Sequence, residues 1–84
     1  MLQVEWLKQA EKELEKLDFL VAQRIVKKVS FLSENFELHT PEPLHGILKG
    51  TYKLRVGDYR IIYKLKQNTI VIISVAHRNE VYKG

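Results

Sequence analysis

The spacing of apolar residues changes period several times along the 84-residue chain. Residues 2–6, "LQVEW", alternate apolar and polar positions as a short strand does. From Leu7 the period lengthens. Leu7, Ala10, Leu14 and Leu17 recur at helical spacing with Lys and Glu between them. Asp18 has the chemistry of an N-cap and precedes a second helical stripe, Val21, Ile25, Val29, Leu32 and Phe36. The two stripes predict a helical hairpin with a very short connection, each apolar face turned to a core. Residues 37–50, "ELHTPEPLHGILKG", hold both prolines and two of the four glycines, and read as a loop.

Three strand-like runs follow, at about 51–56, 59–66 and 69–77. Two-residue turns, Gly57-Asp58 and Gln67-Asn68, separate them, so an antiparallel meander is expected. The fold class is therefore α+β. An N-terminal strand and a two-helix antiparallel hairpin precede a three-stranded antiparallel meander, and strand 1 joins that sheet. The whole chain, 1–84, reads as one domain. Neither repeats nor low-complexity tracts interrupt it.

Strict alternation assigns the faces of the sheet. One carries Tyr52, Leu54, Val56, Tyr59, Ile61, Tyr63, Leu65, Ile70, Ile72 and Ala76, and must cover the helices. The other carries Lys53, Arg55, Arg60, Ile62, Lys64, Val71, Ile73, Val75 and His77. The Gly57-Asp58 turn sets Val56 against Tyr59 and Arg55 against Arg60. Opposed like charges destabilise a sheet unless something neutralises them. A phosphate would do so, because the planar guanidinium fork suits its oxygens and Lys53 lies on the same face. A structural ion network with Glu or Asp from the loop or the termini is the alternative.

Charge sharpens this contrast. Residues 1–42 hold six Lys and Arg against eight Asp and Glu, whereas residues 43–84 hold eight against two. The net charge of +4 thus comes from the second half, and a polarised basic surface suits a polyanionic partner. A solvated surface is the plainer explanation.

Composition removes other classes. With no cysteine there is neither a disulfide framework nor a thiolate zinc site. His39, His45 and His77 lack metal-ligand spacing, so no metal and no cofactor is expected. His39 and His45 read as ordinary loop residues. Asp58 and Glu80, the acids after residue 42, form no recognisable hydrolytic pair. Glu5 and Lys8 interrupt any leader-like apolar run, and no stretch is long enough for a membrane span. A cytoplasmic location without membrane contact is expected.

The segments "LKGTYKLRVGDYRIIYKL" and "ISVAHRNEVYKG" resemble the RelE/ParE superfamily of type II toxin–antitoxin systems, in particular its RelE-like messenger-RNA-cutting branch. The resemblance covers nearly the whole chain and implies the RelE-like microbial ribonuclease-type fold. It implies a metal-independent endoribonuclease that cuts mRNA, typically on the ribosome, through attack of the substrate's own 2′-hydroxyl on the adjacent phosphate. Arg60 would stabilise phosphate charge. Arg78 would aid the leaving group, and Tyr82 would stack on a base. Lys53 matches the first lysine of the family's Lys-x-Lys pattern, and Lys64 would add to RNA binding. Arg55 replaces the second lysine. Arginine does not readily give up its proton, so Arg55 is an electrostatic contact and the base would be Lys53 or His77. His77 could instead buttress the strand end.

Strict alternation also sends Arg78 to the helix side, so its participation requires a strand end or a bulge near Ala76–His77. The implied partners are a cognate antitoxin with an acidic, disordered segment, together with mRNA and the ribosome. Two other functions fit the same fold: a ParE-like poison of DNA gyrase, and a non-catalytic module that binds only its antitoxin.

Overall fold

The computed structural model describes residues 1–44 and 50–77. Its elements run β1 (Gln3–Trp6), α1 (Lys8–Glu15), α2 (Phe19–Glu34), a 3-10 turn (Phe36–Leu38), β2 (Glu42–Pro43), β3 (Tyr52–Val56), β4 (Tyr59–Lys66) and β5 (Thr69–His77). The strands form one sheet in the order β1-β5-β4-β3-β2. β1 runs parallel to β5, and the other pairings are antiparallel.

The helices form where the apolar stripes place them. α1 follows β1 directly, and Leu7 N donates to Ile72 O at 3.0 Å as the chain leaves the sheet. Ala10 is fully buried, and its small side chain lets α1 lie close on β5. Asp18 caps α2 by accepting from Leu20 N at 3.2 Å. Ile25, Val29 and Leu32 then enter a core shared with Leu54, Val56, Ile61, Tyr63, Ile70 and Ile72.

The 37–50 segment is not wholly loop. It contains the 3-10 turn and the two-residue strand β2, which pairs with β3 through Glu42↔Lys53 and Pro43↔Tyr52. Proline holds the extended conformation and is tolerated on an edge strand, which β2 is.

The main departure from regular alternation lies in β5. Ile62 pairs with Ser74, but Tyr63 pairs with Ile72, so Ile73 is an extra residue. This bulge reverses the parity of everything after it. Val75 turns into the core, 5% exposed and opposite Ile61. Ala76 lies opposite Arg60, and His77 opposite Tyr59. The expected positions of Val75, Ala76 and His77 are therefore each exchanged. Participation of Arg78 called for a strand end or a bulge near Ala76–His77; the bulge observed lies earlier, at Ile73, and Arg78 itself lies outside the described residues.

Candidate nucleic-acid interface

The β3–β4 turn fixes the site. Gly57 adopts φ +60, a left-handed conformation in which side chains are strained, and so allows the tight reversal after Val56. The resulting register places Arg55 across from Arg60, as the two-residue turn predicts. Arg55 is exposed, whereas Arg60 is only 6% exposed. Together with Gly57 and Tyr59 they line a cavity of about 140 Å³. Ala76 beside Arg60 is a small neighbour in place of the valine, Val75, that strict alternation would put there.

Lys53 lies on the same side of β3 as Arg55. Its Nζ is 3.2 Å from Glu42 Oε2, and the lysine side chain is 16% exposed. Part of the structural ion network thus exists, and the carboxylate comes from the loop. Glu42 is the member of this cluster that the sequence left unnamed. Its signal was present: a glutamate between Pro41 and Pro43 is held extended, and an extended Glu-Pro can add to a sheet edge. Farther along β4, Lys64 is exposed. Between the cations, Ile62 and Val71 are buried at 6% and 3%, so the charged end adjoins apolar ground.

His77 does not join this cluster. The bulge turns it to the helix side, where its ring meets Tyr59 edge-on at 5.4 Å. It helps to line a cavity of about 430 Å³ with Glu13, Lys16, Leu17, Tyr59 and Val75. His39 lies elsewhere again, 6.1 Å from the Phe36 ring. His45, Arg78, Glu80 and Tyr82 lie outside the described residues.

Tyr63 is buried in the core, and its ring stacks on Tyr52 at 5.6 Å. Burial, with a smaller contribution from Tyr52, pushes its hydroxyl from 10.0 up to about 12. Among the described residues, no group of three or more His, Cys, Asp or Glu side chains is placed to hold a metal ion. Nor is any described helix long and apolar enough to cross a membrane.

Residues 4–82 match the family model described as the ParE toxin of the type II toxin–antitoxin system, parDE. The chain belongs to this toxin family. Among individual relatives, Toxin RelG of Mycobacterium tuberculosis is 38% identical over 48 residues. That match spans 55% of this chain and 55% of RelG, so it reaches only about half the length of the curated relative. A chain of the toxin–antitoxin complex RelBE2 from M. tuberculosis superposes with a TM-score of 0.80 at 31% identity, covering 92% of this chain and 98% of that one. The isolated RelE toxin of E. coli superposes with a TM-score of 0.74 at 26% identity, covering 98% of this toxin and 92% of RelE. Within the superfamily, this toxin sides with the RelE-like branch.

Proposed function

We propose that this toxin is a metal-independent endoribonuclease that cuts messenger RNA on the ribosome and so halts translation. The opposed arginines carry this reading: Arg55 and Arg60 share one register position and line one cavity, where their guanidinium forks suit the oxygens of a phosphodiester. The likeness to RelE supports it.

In the reaction, the 2′-oxygen attacks the neighbouring phosphorus and the P–O5′ bond breaks. The products are a 2′,3′-cyclic phosphate and a 5′-hydroxyl. Arg60, buried and fixed, stabilises the charge that grows on the phosphoryl oxygens. Arg55 and Lys53 hold the phosphate, and Lys64 extends the track along the RNA. The proton from the 2′-hydroxyl needs an acceptor. His77 faces the helices, and Arg55 cannot take it. Glu42, a carboxylate beside Lys53, fits that role better than Lys53 itself, to which it is ion-paired. Arg78 protonates the leaving oxygen and Tyr82 stacks on a base.

A cognate antitoxin with an acidic segment would neutralise the same basic face. Such a toxin acts in the cytoplasm, where its ribosomes are, as a single domain over 1–84. The test is a reconstituted translation reaction with programmed ribosomes. Cut mRNA with a 5′-hydroxyl at the break supports the reading. Intact mRNA, or DNA breaks in cells that express the protein, would overturn it in favour of a gyrase poison.

A further inference from the structure

The bulge in β5 decides which residues reach the basic face, so whatever holds it in register also shapes the site. Two interactions do this. Val75 buries its side chain in the core. Its backbone amide is taken by a side chain from the far end of the sequence: Val75 N donates to Glu13 Oε1 at 2.8 Å.

The geometry explains why a side chain is needed. β1 pairs with β5 only from Thr69 to Ile72, and Leu7 then leads the chain away into α1. Among the described residues, no strand lies on the β1 side of β5 beyond Ile72. The extra residue Ile73 turns the Val75 amide to that side. A half-buried amide with no acceptor costs about 1–3 kcal/mol. Glu13, in the last turn of α1, satisfies it. Its other oxygen, Oε2, accepts from Gln9 Nε2 at 3.3 Å, one helical turn earlier, which orients the carboxylate.

We infer that Glu13 is a positioning residue for the site on the opposite face of the sheet: it locks the β5 bulge and so keeps Ala76, rather than Val75, beside Arg60. Without the bulge, Val75 would lie opposite Arg60 on the basic face and its branched side chain would crowd the guanidinium; Ala76 and His77 would change sides as well. Glu13 touches neither the cations nor their cavity, so it acts only through β5.

The activity arm of this inference rests on the ribonuclease reading; the structural arm does not. The variants are Glu13→Ala, Glu13→Asp and Glu13→Gln in the full chain. Two quantities are read: amide exchange at Val75 by NMR, and single-turnover cleavage on programmed ribosomes. Gln keeps an acceptor oxygen and should retain both protection and rate. Ala, or the shorter Asp if Ala fails to fold, should lose Val75 protection. Either should also slow cleavage on the order of ten- to a hundred-fold, as small misplacements of reacting groups do. Binding of an RNA with a 2′-deoxy scissile site should change little.

Two results would overturn the lock: unchanged Val75 protection in Ala and Asp, or lost protection with wild-type cleavage. A rate that only tracks the melting temperature, with no rescue by Gln, would show a merely structural contact. Should the wild type not cut RNA, the proposed function falls, while amide exchange still decides the lock.

Discussion

Arg55 and Arg60 lie directly across from each other on β3 and β4, the first exposed and the second buried. On the proposed reaction the difference in burial would divide their roles: Arg55 would meet the incoming phosphate in water, where its contribution is screened, and Arg60 would act from within the protein, less screened.

Arg60→Ala should therefore lower single-turnover cleavage about 10²–10³-fold. RNA affinity should fall far less. Arg60→Lys should restore only part of the rate, because the two-pronged fork is lost. Circular dichroism of the free protein checks that the variant still folds. A folded Arg60→Ala variant that cuts at the wild-type rate would refute the assignment.

Glu42→Gln separates proton transfer from charge pairing. Removing a positioned general base typically costs about 10²–10⁴-fold in rate. The same change deletes a negative charge next to the phosphate site, so affinity for an RNA with a 2′-deoxy scissile site should hold or tighten. Filter binding and single-turnover cleavage give the two numbers. Unchanged cleavage would leave the Lys53–Glu42 pair a purely structural contact.

Tyr63 predicts a pH dependence at the alkaline end. Below pH 10 its hydroxyl is neutral in both folded and unfolded chains. Between 10.0 and about 12 the unfolded chain releases the proton and the folded chain does not. The folded state then binds more protons, so stability falls as pH rises through that window. The full loss is roughly 3 kcal/mol. Tyr63→Phe should remove this part of the slope in denaturant melts. At neutral pH it should cost nothing, since the buried hydroxyl has no hydrogen-bond partner among the described residues. A loss above about 1 kcal/mol at neutral pH would mean that the hydroxyl is bonded.

Gln67 holds φ 57 at the turn between β4 and β5, a left-handed conformation that costs a side-chain-bearing residue about 1–2 kcal/mol. Gln67→Gly should raise the melting temperature by relieving it, less the entropy glycine loses on folding. No change in cleavage is expected, because the turn lies at the other end of the hairpin from Arg60. A lower melting temperature would show that the Gln67 side chain makes compensating contacts.

Much of this was legible in the chain because the cues were local. The stripes in α1 and α2, the Asp18 cap and both two-residue turns each declare themselves within a few residues. The turn at Gly57-Asp58 alone fixes the Arg55–Arg60 opposition. The bulge was not legible. "IVIISVAH" is apolar on both sides of the strand, so no alternation marks where the parity slips. Counting from Ile70 therefore put His77 with the arginines and Val75 outside. Glu42 was hidden for a different reason. Its partner is set by a two-residue strand, too short to leave a pattern, within a stretch whose prolines read as loop.

The parallel pairing of β1 with β5 also has a temporal consequence. Residues 3–6 dock on residues 69–72, a contact that spans almost the full length of the chain. Long-range pairings are slow to form, and during synthesis the N-terminal part waits for its partner to emerge. β1 and the helices can assemble early, but the sheet has no seat for β1 until β5 has been made. Glu13 likewise cannot find Val75 before then. A nascent chain thus cannot complete its sheet until translation has passed β5.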